Sequence, residues 1–291
     1  MTWRPRMVAL DVDGTLLETG KAVRPAVRTA VGDVLASGAH LVLASARSDV
    51  EILPVIDDLG LVDGHAVCCN GALTVRYPSR IVVEITRFDA RDALRNILRS
   101  APAAQVAVDE IGFGYDVTAY FPADELPAPQ RLRALDAMTE QPAHHVIVRD
   151  PTVADLASVV TRQDFRQVSV SVSEEGWLDL VSRSVSKASA LANLARAFDV
   201  DAADCLAIGN GHNDVEMLAW AGRGVAMAQS PPAVLHAADA VTGSIDDDGV
   251  AAELRRWFAP TVARRPRQVA RPASTAGPSH HREAPGRPAR P

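Results

Sequence analysis

Asp11 and Asp13 stand two residues apart, followed by Gly14 and Thr15, directly after the apolar run Met7-Val8-Ala9-Leu10. Two carboxylates so spaced, with a glycine and a hydroxyl behind them, can aim a nucleophile and a proton carrier at one phosphate. The apolar run reads as a buried parallel strand, and in open α/β sheets ligands bind just beyond the carboxyl ends of such strands. The same Asp-x-Asp-Gly string also suits a plain solvated turn, because Asp and Gly both favour turns. Further polar groups fall at the ends of other elements: Ser45 and Arg47 after Leu41-Val42-Leu43-Ala44, Lys187 before a helix, and Asn210 to Asp214 after Cys205-Leu206-Ala207-Ile208. These residue types suit phosphoryl transfer. A carboxylate attacks phosphorus, a hard cation bridges carboxylate and phosphate oxygens, and a hydroxyl and a lysine balance the remaining charge.

The elements that must position these groups alternate along the chain. A helix with Pro25 in its first turn carries Val27, Ala30, Val31, Val34 and Leu35 on one side and stops at Gly38. After the second strand, Ser48 and Glu51 form a capping-box pattern that predicts a helix ending at Gly60. A third strand over Ala66–Cys69 ends at Asn70-Gly71. Strand, helix, strand, helix, strand implies right-handed βαβ units and a parallel sheet. From about Thr74 to Ser184 the texture changes to alternating strands such as Ile81–Ile85, Val168–Val172 and Trp177–Leu180, with helices expected near Asp89–Ser100, Pro129–Thr139 and Thr152–Val160. The parallel pattern then resumes through Cys205–Ile208, a helix through Met217 and Leu218, short strands at Val225–Met227 and Ala240-Val241, and a last helix over Gly249–Phe258. The expected organisation is a Rossmann-like α/β core over 1–74 and 184–262, an inserted α/β segment over 75–183 and a tail over 263–291.

Composition bounds the function. A chain of 291 residues with 47% hydrophobic content can bury one large core or two smaller ones. Its longest apolar runs fall short of the roughly 18 residues that a membrane span requires, and Met1-Thr2-Trp3-Arg4-Pro5 lacks the apolar segment of a signal peptide. No membrane partner and a cytoplasmic location are therefore expected. Cys68, Cys69 and Cys205 read as buried strand residues, with neither a disulfide framework nor a zinc spacing in the local sequence. The tail from Arg264 onward holds seven arginines against Glu283, so the overall charge of -6 is the balance of a basic tail and a body near -12. A body this acidic argues against nucleic acid as a partner. The Pro/Ala/Arg-rich tail is expected to be disordered.

The chain resembles the haloacid dehalogenase superfamily, and within it the Cof-like branch of phosphatases with an α/β cap. The resemblance runs from Val8 to Phe258 and rests on Asp11-Val12-Asp13-Gly14-Thr15-Leu16, Asn70-Gly71-Ala72, Val185-Ser186-Lys187-Ala188-Ser189-Ala190-Leu191, Gly209-Asn210-Gly211-His212-Asn213-Asp214-Val215-Glu216-Met217-Leu218 and Asp248-Gly249-Val250-Ala251. It implies a Mg2+-dependent phosphatase acting on a small phosphorylated metabolite such as a sugar phosphate, with Asp11 as nucleophile and Asp13 as general acid. It further implies that Ser45 bonds a phosphoryl oxygen and that Lys187 neutralises the phosphoryl group and orients Asp11. Arg47, Asn70 and Asn213 would meet the substrate, although a helix-start salt bridge is an equal reading of Arg47. The ion would lie among Asp11, the Asp13 carbonyl, Asn210 and Asp214.

Two positions depart from the branch. Asn210 stands where an aspartate is usual, which removes about one unit of negative charge from the metal site and predicts weaker magnesium binding. Ala46 replaces a glycine and crowds any close approach by phosphate. Two other readings stay open: a phosphotransferase or mutase of phosphomannomutase type, which the motifs barely separate from a phosphatase, and a regulatory phosphate-binding protein whose chemistry has decayed, which Asn210 and Ala46 raise. His212 reads as a loop residue without a ligand partner, His144-His145 as a pair at a turn edge, and Tyr115, Tyr120, Trp177 and Asp179 as packing or surface groups of the insert.

Overall fold

A computed structural model describes residues 3–18, 20–150, 167–172 and 177–258. Its fourteen described strands, β1 to β14 in chain order, form two sheets. The larger runs in the order β14 (Ala240–Val241), β13 (Arg223–Ala226), β12 (Cys205–Gly209), β1 (Met7–Leu10), β2 (His40–Ala44), β3 (Gly64–Cys68), β4 (Leu73–Tyr77) and β5 (Ile81–Ile85). Pairing from β14 to β3 is parallel, and β4 and β5 extend the sheet antiparallel.

β1 lies at the centre, and its side chains alternate between the two faces as a pleated strand requires. Val8 and Leu10 pack with Val27, Val31, Leu254 and Phe258, while Met7 and Ala9 pack with Leu191, Leu194 and Met217. Burial on both faces explains why the strand reads as an unbroken apolar run. The helix Pro25–Ala36 covers the first face and the helix Lys187–Ala197 the second.

The smaller sheet runs β10 (Val168–Val172), β11 (Trp177–Ser182), β9 (Val146–Arg149), β6 (Gln105–Glu110), β7 (Gly114–Val117) and β8 (Gln130–Leu132). It is antiparallel except for the parallel pair β7 and β8. The helix Arg91–Ser100 packs Leu94 and Ile97 against Val106, Val148 and Leu178 of this sheet.

Several local expectations are corrected. Ile81–Ile85, expected in the insert, hydrogen-bonds to β4 and forms the edge of the larger sheet, where Ile81, Val82 and Val83 are exposed. Pro129–Thr139 is not one helix: Gln130–Leu132 pairs with β7, and only Leu135–Met138 is helical. The strand wins because Arg131 Nε and Arg133 donate to the buried Asp116 carboxylate, each at 2.7 Å, which ties their backbone alongside β7. The Ser48–Glu51 box forms, with Glu51 N donating to Ser48 Oγ at 3.3 Å, but the chain stays in turns and the helix begins at Leu53 with Pro54 in its first turn. The helix expected at Thr152–Val160 and the tail over 263–291 lie outside the described residues. Among the described residues no helix is long and apolar enough to cross a membrane.

Candidate active site

Asp11 is the first residue beyond β1, held in line by its N–H donating to Ile208 O of β12 at 3.0 Å. Its side chain is buried, and Oδ1 accepts from Lys187 Nζ at 2.6 Å. The same ammonium donates to Asp214 Oδ1 at 2.7 Å, so one buried cation lies between two buried carboxylates. Lys187 reaches this point because it opens a helix whose cap is fully made: Ser189 N donates to Ser186 Oγ, and Ser186 N donates to Ser189 Oγ. Gly71 permits the approach, since a Cβ there would collide with the Ser186 carbonyl and its φ is +103°.

Electrostatics follow from the burial. Desolvation, and then the neighbouring Asp214 carboxylate, push the Asp11 carboxyl up to about 7, with Lys187 opposing both. Burial alone would lower the Lys187 ammonium, but Asp11 and Asp214 outweigh it and hold the lysine above its ordinary value. Lys187 therefore stays charged, and a bound divalent cation would return Asp11 to its ionised form.

The second oxygen of Asp214 accepts from the backbone N–H groups of Asn210 and Gly211, both at 2.8 Å. In this arrangement Asp214 shapes the loop after β12 and steers Lys187. Asn210 turns inward: the amide atom that faces Asp11 is 3.0 Å from Asp11 Oδ2, 2.8 Å from the Asp13 carbonyl oxygen and 2.7 Å from Thr15 Oγ1. An amide nitrogen at that place donates to all three oxygens. An amide oxygen there completes an all-oxygen set with the Asp11 carboxylate and the Asp13 carbonyl, and these separations match the roughly 3.0 Å edge of an octahedron with metal–oxygen distances of about 2.1 Å. Hard oxygen donors at this spacing fit Mg2+. Gly14 belongs to the same device, because with φ +81° a Cβ there would run into the Asn210 amide.

Asp13 is held from the other side. Arg47 Nε donates to Asp13 Oδ2 at 2.8 Å and Arg47 NH2 donates to Oδ1 at 2.7 Å, a fork that fixes the plane of the carboxylate. Of the two readings of Arg47, the structure places the guanidinium in a salt bridge to a catalytic candidate. Ser45 is buried, its Oγ accepts from Arg47 N at 3.1 Å, and its O–H is left to donate. Asn70 adopts left-handed backbone (φ 54°), donates its N–H to Ser45 O at 3.0 Å and accepts from Asn213 Nδ2 at 2.8 Å. Ser45, Asn70 and Asn213 are thus brought together, as are Asp11, Lys187, Asp214 and Asn210.

Three features escaped the sequence reading. Thr15 is buried against Asn210, and Gln229 Nε2 donates to Gly14 O at 2.7 Å while its Oε1 accepts from Ile245 N. Only the place of Thr15 inside the Asp-x-Asp-Gly-Thr string hinted at its part. His144 and His145, expected at a turn edge, are buried beside Asp109 and Asp179. His212 is exposed and Tyr120 is 61% exposed, whereas Tyr115 and Trp177 are buried packing residues.

Residues 8–254 match the family described as haloacid dehalogenase-like hydrolase. A Streptococcus pyogenes relative whose name carries the word phosphatase is 26% identical over 263 residues, 87% of this chain and 98% of that one. The HMP-PP phosphatase of Yersinia enterocolitica is 26% identical over 265 residues, 87% of this chain and 95% of that one. A solved haloacid dehalogenase-like hydrolase from Bacteroides thetaiotaomicron superposes with a TM-score of 0.75 at 25% identity, over 87% of this chain and 99% of that one. A HAD subclass IIB sugar phosphatase shares the fold, with a TM-score of 0.73 at 20% identity over 86% and 98% of the two chains. A parallel sheet with carboxylates at the end of its central strand, an inserted second sheet and a family match across most of the chain lead to one assignment: the chain belongs to the haloacid dehalogenase-like hydrolases.

Proposed function

We propose that this chain is a magnesium-dependent phosphatase that hydrolyses a small phosphorylated metabolite through an aspartyl phosphate. The observation that carries this reading is the buried Lys187 ammonium 2.6 Å from Asp11, at the end of the central strand. A lysine so placed aims one carboxylate oxygen and adds positive charge where phosphoryl oxygens would lie.

In the first half-reaction an Asp11 oxygen bonds to phosphorus as the bond to the leaving oxygen breaks, and Asp13 gives that oxygen a proton. In the second, Asp13 takes a proton from water, the water oxygen bonds to phosphorus, and phosphate leaves with Asp11 regenerated. Arg47 orients Asp13 throughout, and the Ser45 hydroxyl donates to a phosphoryl oxygen. Asp11, the Asp13 carbonyl and Asn210 would hold a magnesium ion, with Asp214 shaping the loop that presents Asn210, and the ion would supply the charge that lets an anionic nucleophile approach an anionic phosphate.

The smaller sheet and its helix are read as a cap on the core built around the larger sheet, which keeps Ile81–Ile85, and this cap would exclude water and choose the leaving group. Contacts from the smaller sheet to the loop after Arg47 support this: Tyr115 Oη donates to Glu51 at 2.8 Å and Gly112 N donates to Asp49 at 3.1 Å. The relatives' names, HMP-PP phosphatase and sugar phosphatase, favour a small phosphorylated metabolite as the substrate class.

The test is hydrolysis of p-nitrophenyl phosphate by the full chain with and without magnesium, beside Asp11→Asn. Magnesium-dependent release of phosphate, lost at least about a thousandfold in the variant, is the expected result. Near-normal turnover by a folded Asp11→Asn overturns the mechanism.

A further inference from the structure

Apart from the candidate active site, the described residues hold a second cluster of ligand-type side chains, and it has no place in the chemistry above. Cys69, Asp109 and His144 each present a ligand atom within 4.8 Å of the other two, and all are buried. Cys69 Sγ is 3.1 Å from Asp109 Oδ2, and His144 Nε2 is 3.4 Å from the same oxygen. His145 Nδ1 approaches that oxygen at 3.9 Å. We propose that Cys69, Asp109 and His144, with a water as fourth ligand, form a zinc site that ties the loop after β3 to the smaller sheet.

Four observations point to a metal instead of an ordinary polar contact. First, Asp109 Oδ1, His144 Nε2 and His145 Nδ1 are buried atoms without a hydrogen-bond partner, a costly state unless something else satisfies them. Second, the donor set of one thiol, one carboxylate and one imidazole, completed by a water, is a mixture that tetrahedral zinc accepts, and it excludes magnesium as the preferred ion. Third, with zinc–nitrogen and zinc–oxygen distances near 2.0–2.1 Å, tetrahedral ligand atoms lie about 3.4 Å apart, the separation of His144 Nε2 and Asp109 Oδ2, while the longer zinc–sulfur bond asks Cys69 Sγ to move out from 3.1 Å to about 3.6 Å. Fourth, the carboxylate has an outer shell of the kind that supports metal ligands: His145 Nδ1 lies 3.9 Å from Asp109 Oδ2, and its Nε2 is 2.9 Å from Asp179 Oδ1.

The charges also close. Zinc with one thiolate, one carboxylate, one neutral imidazole and a water is a neutral unit, which a buried position tolerates. Protons are the competing occupants. Zinc uptake replaces the Cys69 thiol proton, which leaves to solvent. No local Cys/His spacing announces the site because its ligands come from three separated segments: the loop after β3, the strand β6 and the turn before β9. The consequence for the enzyme lies one residue away. Cys69 N donates to Arg47 O at 2.9 Å and Cys69 precedes Asn70, so a metal at Cys69 would stiffen the loop that carries Asn70 and the backbone of the arginine holding Asp13.

The purified full chain, exposed to zinc sulfate and then dialysed against metal-free buffer, is expected to retain one zinc per chain, and Asp11→Asn is expected to retain it equally. Cobalt in place of zinc should give thiolate-to-cobalt charge-transfer absorption and the intense d–d bands of four-coordinate cobalt. Cys69→Ala should remove the charge-transfer band and the retained zinc. Asp179→Asn, which alters only the support of His145, should weaken zinc in competition with a chelator by about 10–100-fold while leaving the fold intact. The proposal is overturned if the wild-type chain retains less than about a tenth of an equivalent, if bound cobalt shows no thiolate band, or if a folded Cys69→Ala holds zinc as well as the wild type.

Discussion

Arg47 grips Asp13 with two parallel hydrogen bonds, Nε to Oδ2 at 2.8 Å and NH2 to Oδ1 at 2.7 Å. The fork sets the plane of the carboxylate proposed to pass a proton to and from the leaving oxygen, so its loss should show as misplaced proton transfer. Arg47→Ala is expected to lower kcat at least about tenfold. The loss should be larger for an alkyl phosphate than for p-nitrophenyl phosphate, whose leaving group needs little protonation. Arg47→Lys should not rescue it, because a lysine lacks the planar fork. Equal losses on the two substrates would argue against the positioning role.

Lys187 is a stability element as well as a candidate catalytic group. Lys187→Met leaves the Asp11 and Asp214 carboxylates buried without their cation, and breaking a buried ion pair in this way costs about 3–5 kcal/mol. Urea unfolding should register that loss. A variant within about 0.5 kcal/mol of the wild type would mean that surface substitution is the better analogy.

Asn210→Asp is expected to lower the magnesium concentration for half-maximal activity about tenfold, a change worth about 1.4 kcal/mol of binding. The added charge would sit 3.0 Å from Asp11 and 2.8 Å from the Asp13 carbonyl, where only a cation makes it favourable. An unchanged magnesium titration would remove Asn210 from the proposed ligand set.

Asp116 offers a test of pH linkage away from the site. Burial acts to raise its pKa, but the hydrogen bonds and charges of Arg131 and Arg133 prevail and hold it below the ordinary 3.8. A carboxylate depressed in the folded state adds stability that is present above the unfolded pKa and is lost as pH falls through the folded one. Asp116→Asn should therefore cost about 2 kcal/mol near neutrality, and the gap to the wild type should close below pH 3.8. A gap that persists unchanged into acid would locate the effect in packing.

The central strand, the two carboxylates and the order of the parallel units were legible because each is a local signal: an apolar run, a spacing of two, a glycine after a helix. The hydrogen bonds of Ser186 and Ser189 at the start of the Lys187 helix are likewise local. The strand at Gln130–Leu132 was not legible, since its helix-like pattern was overruled by Asp116, a partner more than a dozen residues away.

The site divides in the same way. In the sequence, residue type and spacing at one strand end marked Asp11 and Asp13 as carboxylates able to attack and to carry a proton, and the family resemblance added Asn210 and Asp214 as ligands for an ion. Only the tertiary structure decided how they pair: Lys187 between Asp11 and Asp214, Arg47 on Asp13, and Cys69 beside Asp109 and His144. Those pairings join groups tens to more than a hundred residues apart, and their energies depend on burial and on distances within a few ångströms. Neither quantity exists until the chain has folded.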